Sequence, residues 1–284
     1  MNKNVKNMLS LGVCALFLLC FSLWGMLKED DALSLSERRP LKQFPRLDAQ
    51  EVLSGRFQSN FESYTLDQFP LRDTFRTLKA LAVRDLFREK DNNGIYVADG
   101  YAAKLDPALN ESSLDHAASR FRYVYETYLK DTDAKVYLSI IPDKNYFLAA
   151  ENGYPALDYE RLFAYMREKT DFAAYVDLRE GLSLSSYYRT DTHWRQEELL
   201  PVAKLLADAM GVEIAEDFTS VTLDTPFFGV YRGQSALPMP PDTLTYLTND
   251  ALEGCRVYDY ENDAYLPIYT LDKAGGNDPY EIFL

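Results

Sequence analysis

The sequence predicts an α/β domain carried behind a membrane-spanning N-terminal helix. Three observations point there: an uncharged apolar run near the start, β-rich segments alternating with amphipathic helices from about residue 95, and an ordinary globular composition. Hydrophobic residues make up 47% and charged residues 26%, which argues against disorder. At 284 residues the chain can hold one sizeable domain plus accessory segments.

The apolar run is Met8 to Leu27, MLSLGVCALFLLCFSLWGML, with no charged side chain. A helix of that length rises roughly 30 Å, the hydrocarbon thickness of a bilayer. Lys3 and Lys6 precede it, and Glu29, Asp30 and Asp31 follow it. The positive-inside rule therefore puts the N-terminus in the cytoplasm and the bulk of the chain outside, as a single-pass cell-membrane protein. A cleaved signal peptide fits less well, because its core would be shorter and Ser22 to Met26 lacks a small-x-small site. Leu19 before Cys20 is also wrong for a lipoprotein signal.

Residues 28–48 are polar, contain Pro40 and Pro45, and read as a tether. From Ala49 to Phe87 the pattern is helical, with Val52, Phe57, Phe61 and Tyr64 on one face and a break at Phe69 and Pro70. Asn92-Asn93-Gly94 marks a turn, and Ile95 to Val97 a short strand closed by Asp99 and Gly100. The expected organisation is a cytoplasmic tip and anchor over 1–27, a tether and helical segment over 28–94, and the α/β domain over 95–284.

Within that domain, Asn110 to Leu129 reads as a helix with Leu114, Ala118, Phe121, Tyr125 and Tyr128 on a stripe. Lys135 to Ile141 (KVYLSII) and Phe172 to Leu178 (FAAYVDL) read as buried strands, with a helix from Tyr159 to Lys169 between them. Residues 196–210 form another helix, ended by Gly211. Strand, helix and strand in alternation imply βαβ units and a mainly parallel sheet. The tail from Phe218 is rich in Tyr, Asp and Pro, with short strands near 227–231 and 243–248.

The net charge is −14, and beyond residue 27 the balance is 28 basic to 44 acidic groups. Nothing resembles a basic stripe, so nucleic acid is excluded as a partner. Cys14 and Cys20 lie in the apolar run, leaving Cys255 alone outside it, so neither an internal disulfide nor a cysteine-rich zinc site is expected. No cofactor is implied.

Of the two histidines, His116 falls on the polar side of the 110–129 helix and reads as a solvated surface residue. His193 follows a strand and loop, where sites gather in α/β sheets. In an extended segment Asp191 and His193 share one face and Thr192 takes the other. A carboxylate beside an imidazole fixes its tautomer and stabilises the imidazolium. From spacing alone, an incidental polar turn fits the same residues. Lys144 after Pro142 reads as a solvated lysine, Ser139 as a packed hydroxyl in a strand, and Gly233-Gln234-Ser235 as an imperfect nucleophile turn.

The chain resembles the DHHW protein family of bacterial cell envelopes, related to the AlgX/AlgJ-type alginate O-acetyltransferases with their SGNH-hydrolase-like domain. The matching blocks are Ser36 to Pro45 (SERRPLKQFP), Gly55 to Phe61 (GRFQSNF) and Asp67 to Asp73 (DQFPLRD). Ile141 to Lys144 (IPDK), Tyr188 to Trp194 (YRTDTHW) and Pro241 to Thr243 (PDT) continue the series in order. The resemblance implies an SGNH-hydrolase-like parallel sheet flanked by helices, with His193 as general base and Asp191 as its orienting carboxylate. The family's nucleophilic serine lies well downstream of the histidine, so the Ser-bearing segment is expected to begin where this chain ends, at Leu284. The expected α/β domain is thus truncated at its C-terminus and short of its serine.

The implied chemistry is O-acetyl transfer or ester hydrolysis on a cell-envelope or exported polysaccharide, through a Ser-His-Asp set without cofactor. A membrane-bound acyl-donor protein is the implied partner. The alternative is a non-catalytic envelope protein that binds glycan or an assembly partner.

Overall fold

With no charge to interrupt it, the N-terminal run forms one continuous helix, α1 (Lys3–Leu27). The computed structural model describes residues 3–283, and among these α1 is the one helix long and apolar enough to cross a membrane. None of its most apolar stretch is buried. The described residues fall into two units that divide between Phe87 and Arg88.

In the first unit the segment expected to be a tether is ordered by polar contacts. A two-residue ladder pairs β1 (Leu33–Ser34) with β2 (Arg39–Pro40). Helices α2 (Ala49–Leu53), α3 (Arg56–Asp67) and α4 (Arg72–Leu81) follow, and a π-helical turn over Ala82–Leu86 extends the last. Asp48 caps α2 through the amides of Gln50 and Glu51. Arg39 grips the buried Asp67 with two hydrogen bonds of 2.6 and 2.8 Å, and the Lys42 amide donates to the same carboxylate at 2.9 Å. These bonds, chiefly those from Arg39, hold the Asp67 carboxyl down at about 2. Gln68 meanwhile clasps the backbone of Asp31 and Lys42. Apolar content alone foretold a loose segment; its order comes from charges and amides.

The second unit opens with a hairpin. Strands β3 (Ile95–Ala98) and β4 (Tyr101–Lys104) pair antiparallel around Asp99 and Gly100, whose φ values of +49° and +80° suit a two-residue turn. Helix α5 (Glu111–Val124) starts at an Asn110 cap and runs into a π-helical turn over Tyr125–Leu129. His116 is exposed on α5, but so are Phe121 and Tyr128 of the expected apolar stripe.

Strand β5 (Tyr137–Leu138), the short helix α6 (Asn145–Leu148), α7 (Tyr159–Lys169) and β6 (Ala174–Tyr175) make one βαβ passage. Here β5 and β6 pair parallel, with the Ala174 amide on the Val136 carbonyl at 2.9 Å and the Val176 amide on Leu138 at 2.8 Å.

Among the described residues that passage is the whole of the parallel pairing, and in place of the expected parallel sheet the architecture is mixed helix and strand with small sheets. Among the described residues the sheets are all two-stranded, and the other four are antiparallel. Among the described residues neither β5 nor β6 has a further strand hydrogen-bonded to its outer edge, and the two pair over only two residues. Ser139 consequently lies outside the strand and is half-buried.

Residues 196–210 divide into a 3-10 turn (Gln196–Glu198) and α8 (Leu200–Met210), with Pro201 in the first turn where its missing amide hydrogen is tolerated. Gly211 ends α8 at φ +70°. The strand expected at 227–231 lies earlier: β7 (Thr219–Phe227) precedes α9 (Val230–Ser235) and pairs with β8 (Asp242–Thr248). The ladder slips between Thr222 and Pro226, where a proline is tolerated because regular pairing lapses.

Tyr188, Phe227, Leu244, Tyr280 and Ile282 form a buried cluster, and Ile95, Ala102, Tyr231 and Met239 a second. Each large apolar side chain buried there contributes about 1.5–3 kcal/mol. The 188–193 segment belongs to the first cluster through Tyr188. It reaches the second through α9, which carries Tyr231.

Candidate active site

The segment Tyr188 to Trp194 is a closed bend and not an extended strand. Tyr187 and Trp194 bridge antiparallel, the Tyr188 amide donates to the His193 carbonyl at 3.1 Å, and the Arg195 amide reaches Ser186 at 2.7 Å. Asp191 and His193 therefore meet through a turn, not through the strand pleat that the sequence suggested. Asp191 Oδ1 accepts from the His193 amide at 3.1 Å and lies 2.6 Å from His193 Nδ1. Thr192 is exposed.

Three amides at the start of α9 complete the support. Val230 N donates to Asp191 Oδ2 at 2.8 Å, Gly229 N to Thr190 Oγ1 at 2.8 Å, and Tyr231 N to the Thr190 carbonyl at 3.0 Å. Asp242 at the start of β8 receives the amides of Arg189 (2.9 Å) and Thr190 (2.8 Å) and the Thr190 hydroxyl (2.6 Å). Asp191 and Thr190 are fully buried, while the His193 side chain is 41% exposed. A buried carboxylate held by two amides and an imidazole thus presents that ring at the surface.

The other face of the ring lies on Tyr280, centroids 3.9 Å apart and planes 13° from parallel. Burial, with the charge of Asp191 nearby, pushes the Tyr280 phenol up to about 12, so it stacks as a neutral ring. Nε2, the second ring nitrogen, has no hydrogen-bond partner among the described residues. Two cavities, of about 360 Å³ beside Leu33 and Arg72 and about 280 Å³ beside Tyr246 and Tyr269, are lined by other residues.

Lys144 corrects the sequence reading. It is 2% exposed, and its Nζ donates to the Tyr188 carbonyl at 2.7 Å and to that of Arg189 at 3.4 Å. The sequence predicts a solvated lysine after Pro142, but the chain folds the 188–193 bend over it. Ser235 is also buried, at the end of α9, where its hydroxyl donates to the Arg232 carbonyl and accepts from the Leu237 amide. Among the described residues no serine hydroxyl hydrogen-bonds the imidazole, and no group of three His, Cys, Asp or Glu side chains could hold a metal.

No family model and no curated protein matches the chain. Several solved structures are similar to it. A DHHW family protein from Eubacterium siraeum shares 20% identity over 56% of this chain and 56% of its own, with a TM-score of 0.48. Bacillus cereus PatB1 shares 13% over 66% and 71%, with a TM-score of 0.49. PatB1 with a sulfonyl adduct shares 15% over 66% and 70%, with a TM-score of 0.52. The last is a likeness of fold. The match spans 56% of the length of the Eubacterium protein.

Sequence reasoning missed Gly229, Val230 and Asp242 as supports of the pair. Asp242 had a signal, since it sits in the Pro241 to Thr243 block that carries part of the family resemblance. Gly229 and Val230 had none, because their roles exist only once α9 meets the bend.

Proposed function

We propose that this chain is a membrane-anchored, extracytoplasmic protein with an SGNH-like acyl-transfer site, acting as O-acetyltransferase or acetylesterase on a cell-envelope polysaccharide. The observation that carries the reading is the 2.6 Å contact between Nδ1 of His193 and a fully buried Asp191 carboxylate. That carboxylate holds the proton on Nδ1, which leaves Nε2 as the basic nitrogen. Nε2 takes the proton of a serine hydroxyl as oxygen attacks the acyl carbonyl, and then returns it to the departing alcohol. The family pattern assigns that serine to a segment downstream of His193. The fold shared with a PatB1 structure that holds a sulfonyl adduct also supports a nucleophilic mechanism.

The test is hydrolysis of p-nitrophenyl acetate, in detergent, by the full-length protein with its serine-bearing segment, against the His193→Ala variant of the same protein. A wild-type rate well above that of the variant is expected; equal rates remove His193 from the chemistry. The engaged hydroxyl of Ser235 favours a second reading, a glycan-binding envelope protein without turnover. It predicts polysaccharide binding of equal strength in both versions and no ester cleavage in either.

We assign the N-terminus to the cytoplasm from Lys3 and Lys6. Cys255 is exposed in the second unit. A membrane-impermeant maleimide applied to intact cells is expected to label it, and protection of Cys255 until lysis would reverse the orientation.

A further inference from the structure

Beneath the bend lies a buried cation with no role in the chemistry just described. Lys144 Nζ is held by the carbonyls of Tyr188 and Arg189, with the Tyr231 ring of α9 5.2 Å away and the Tyr101 ring of β4 5.8 Å away. Its charged neighbours are Asp191, Asp242 and Asp143, and no solvent reaches it to any extent. His193 faces Asp191 on one side and Tyr280 on the other, and Arg195 nearby is ion-paired with Glu197. An ammonium buried this deeply is costly unless its hydrogen bonds and nearby charges offset the loss of water.

We propose that Lys144 is a positioning residue for the Asp191–His193 pair: its ammonium pins the two carbonyls that lead into Asp191. The inference rests on the reading of this pair as a general base, because only then does the placement of the bend matter to function. Desolvation pushes the amine down to about 7, against the opposing pull of Asp191, Asp242 and Asp143. Its ionisation thereby falls in the range where an imidazole works as a base.

The test needs no substrate. Full-length protein in lipid nanodiscs, labelled at lysine ¹³Cε and in the histidine rings, is titrated by NMR. His116, exposed on α5, is the internal reference. One lysine is expected to titrate near 7, about three units below ordinary lysines, and to vanish in Lys144→Met. In that variant the His193 ring resonances are expected to move, because the bend that carries them loses its buried donor, while those of His116 stay fixed. Lys144→Arg, which restores a cationic donor, brings them back toward the wild-type positions. Unchanged His193 resonances in Lys144→Met, or equal changes in the Met and Arg variants, overturn the proposal. Should Lys144→Met fail to fold, the wild-type titration decides. A lysine titrating near 7 supports it; the absence of any such lysine overturns it. Absence of ester hydrolysis would sink the acyl-transfer reading without altering these signals.

Discussion

Gly229 lies flat against Thr190. Its amide donates to Thr190 Oγ1 at 2.8 Å, and a Cβ at position 229 would stand 2.2 Å from the Thr190 carbonyl carbon and oxygen and 2.4 Å from the Asp191 nitrogen. These are backbone atoms of the bend, so they cannot swing aside as a flexible side chain would. Gly229→Ala is therefore expected to destabilise the second unit by about 2–3 kcal/mol. The next amide, Val230 N, is the one on Asp191 Oδ2, so the same change should also shift the His193 ring resonances. Urea unfolding with an NMR spectrum of the folded fraction checks both; an unshifted transition would mean that the bend is pliant.

Asp191→Asn keeps the shape and removes the charge. The amide can accept from Nδ1–H through its one oxygen, but then its NH₂ faces Val230 N, donor against donor. Either orientation leaves a mismatch in a fully buried place, which costs about 1–3 kcal/mol. A hydrogen on Nδ1 held against a carboxylate oxygen at 2.6 Å should give a far-downfield proton resonance. That resonance is expected to disappear in the variant. Any ester hydrolysis should fall on the order of 10³–10⁴-fold, as when an imidazole loses its orienting carboxylate. A persistent resonance would show that the signal arises elsewhere.

The Asp191–His193 contact was legible in the sequence because two residues on, with short side chains, an aspartate and a histidine can meet in a turn or along a strand. The sequence could not tell which, and the strand reading gave the right partners by the wrong geometry. The βαβ order was legible too, since apolar runs at 135–141 and 172–178 flank an amphipathic helix whose bounds, Tyr159–Lys169, match the expected ones. How many residues of each run pair depends on neighbouring strands, so the extent of the sheet was not. Burial of Lys144 was illegible for a related reason. Its partners are the carbonyls of Tyr188 and Arg189 and the rings of Tyr101 and Tyr231, all distant in sequence. A Pro-Asp-Lys run carries no mark of being roofed over.

Asp242 gathers three donors, the amides of Arg189 and Thr190 and the Thr190 hydroxyl, 52 or 53 positions away. Asp242→Ala strands all of them, and the Thr190 amide and hydroxyl are buried. A loss of about 2–4 kcal/mol is expected. Asp242→Asn keeps one acceptor oxygen and should lose about half as much. Because the donors belong to the bend, amide hydrogen exchange at Thr190 and Asp191 should accelerate in the Ala variant well before global unfolding. Uniform acceleration across the unit would instead make Asp242 a general stabiliser with no special hold on the bend.

In the first unit, acid should release Asp67. Its folded carboxyl titrates at about 2, below the ordinary value of 3.8, because Arg39 and the Lys42 amide hold the charged form. A depressed carboxyl contributes stability that is complete above the ordinary value and drains away as pH falls from there through about 2. Arg39 is 39% exposed, so solvent screening trims the contribution to on the order of 1–2 kcal/mol. The Arg39 ladder to Leu33 and Ser34 and the Gln68 clasp on Asp31 and Lys42 lie beside this contact. Amide exchange over 31–42 is therefore expected to quicken between pH 4 and pH 2 in the wild type. In Asp67→Asn it should be fast already at pH 5 and flat with acidification over that window. Identical pH profiles in the two would show that the acid response does not arise at Asp67.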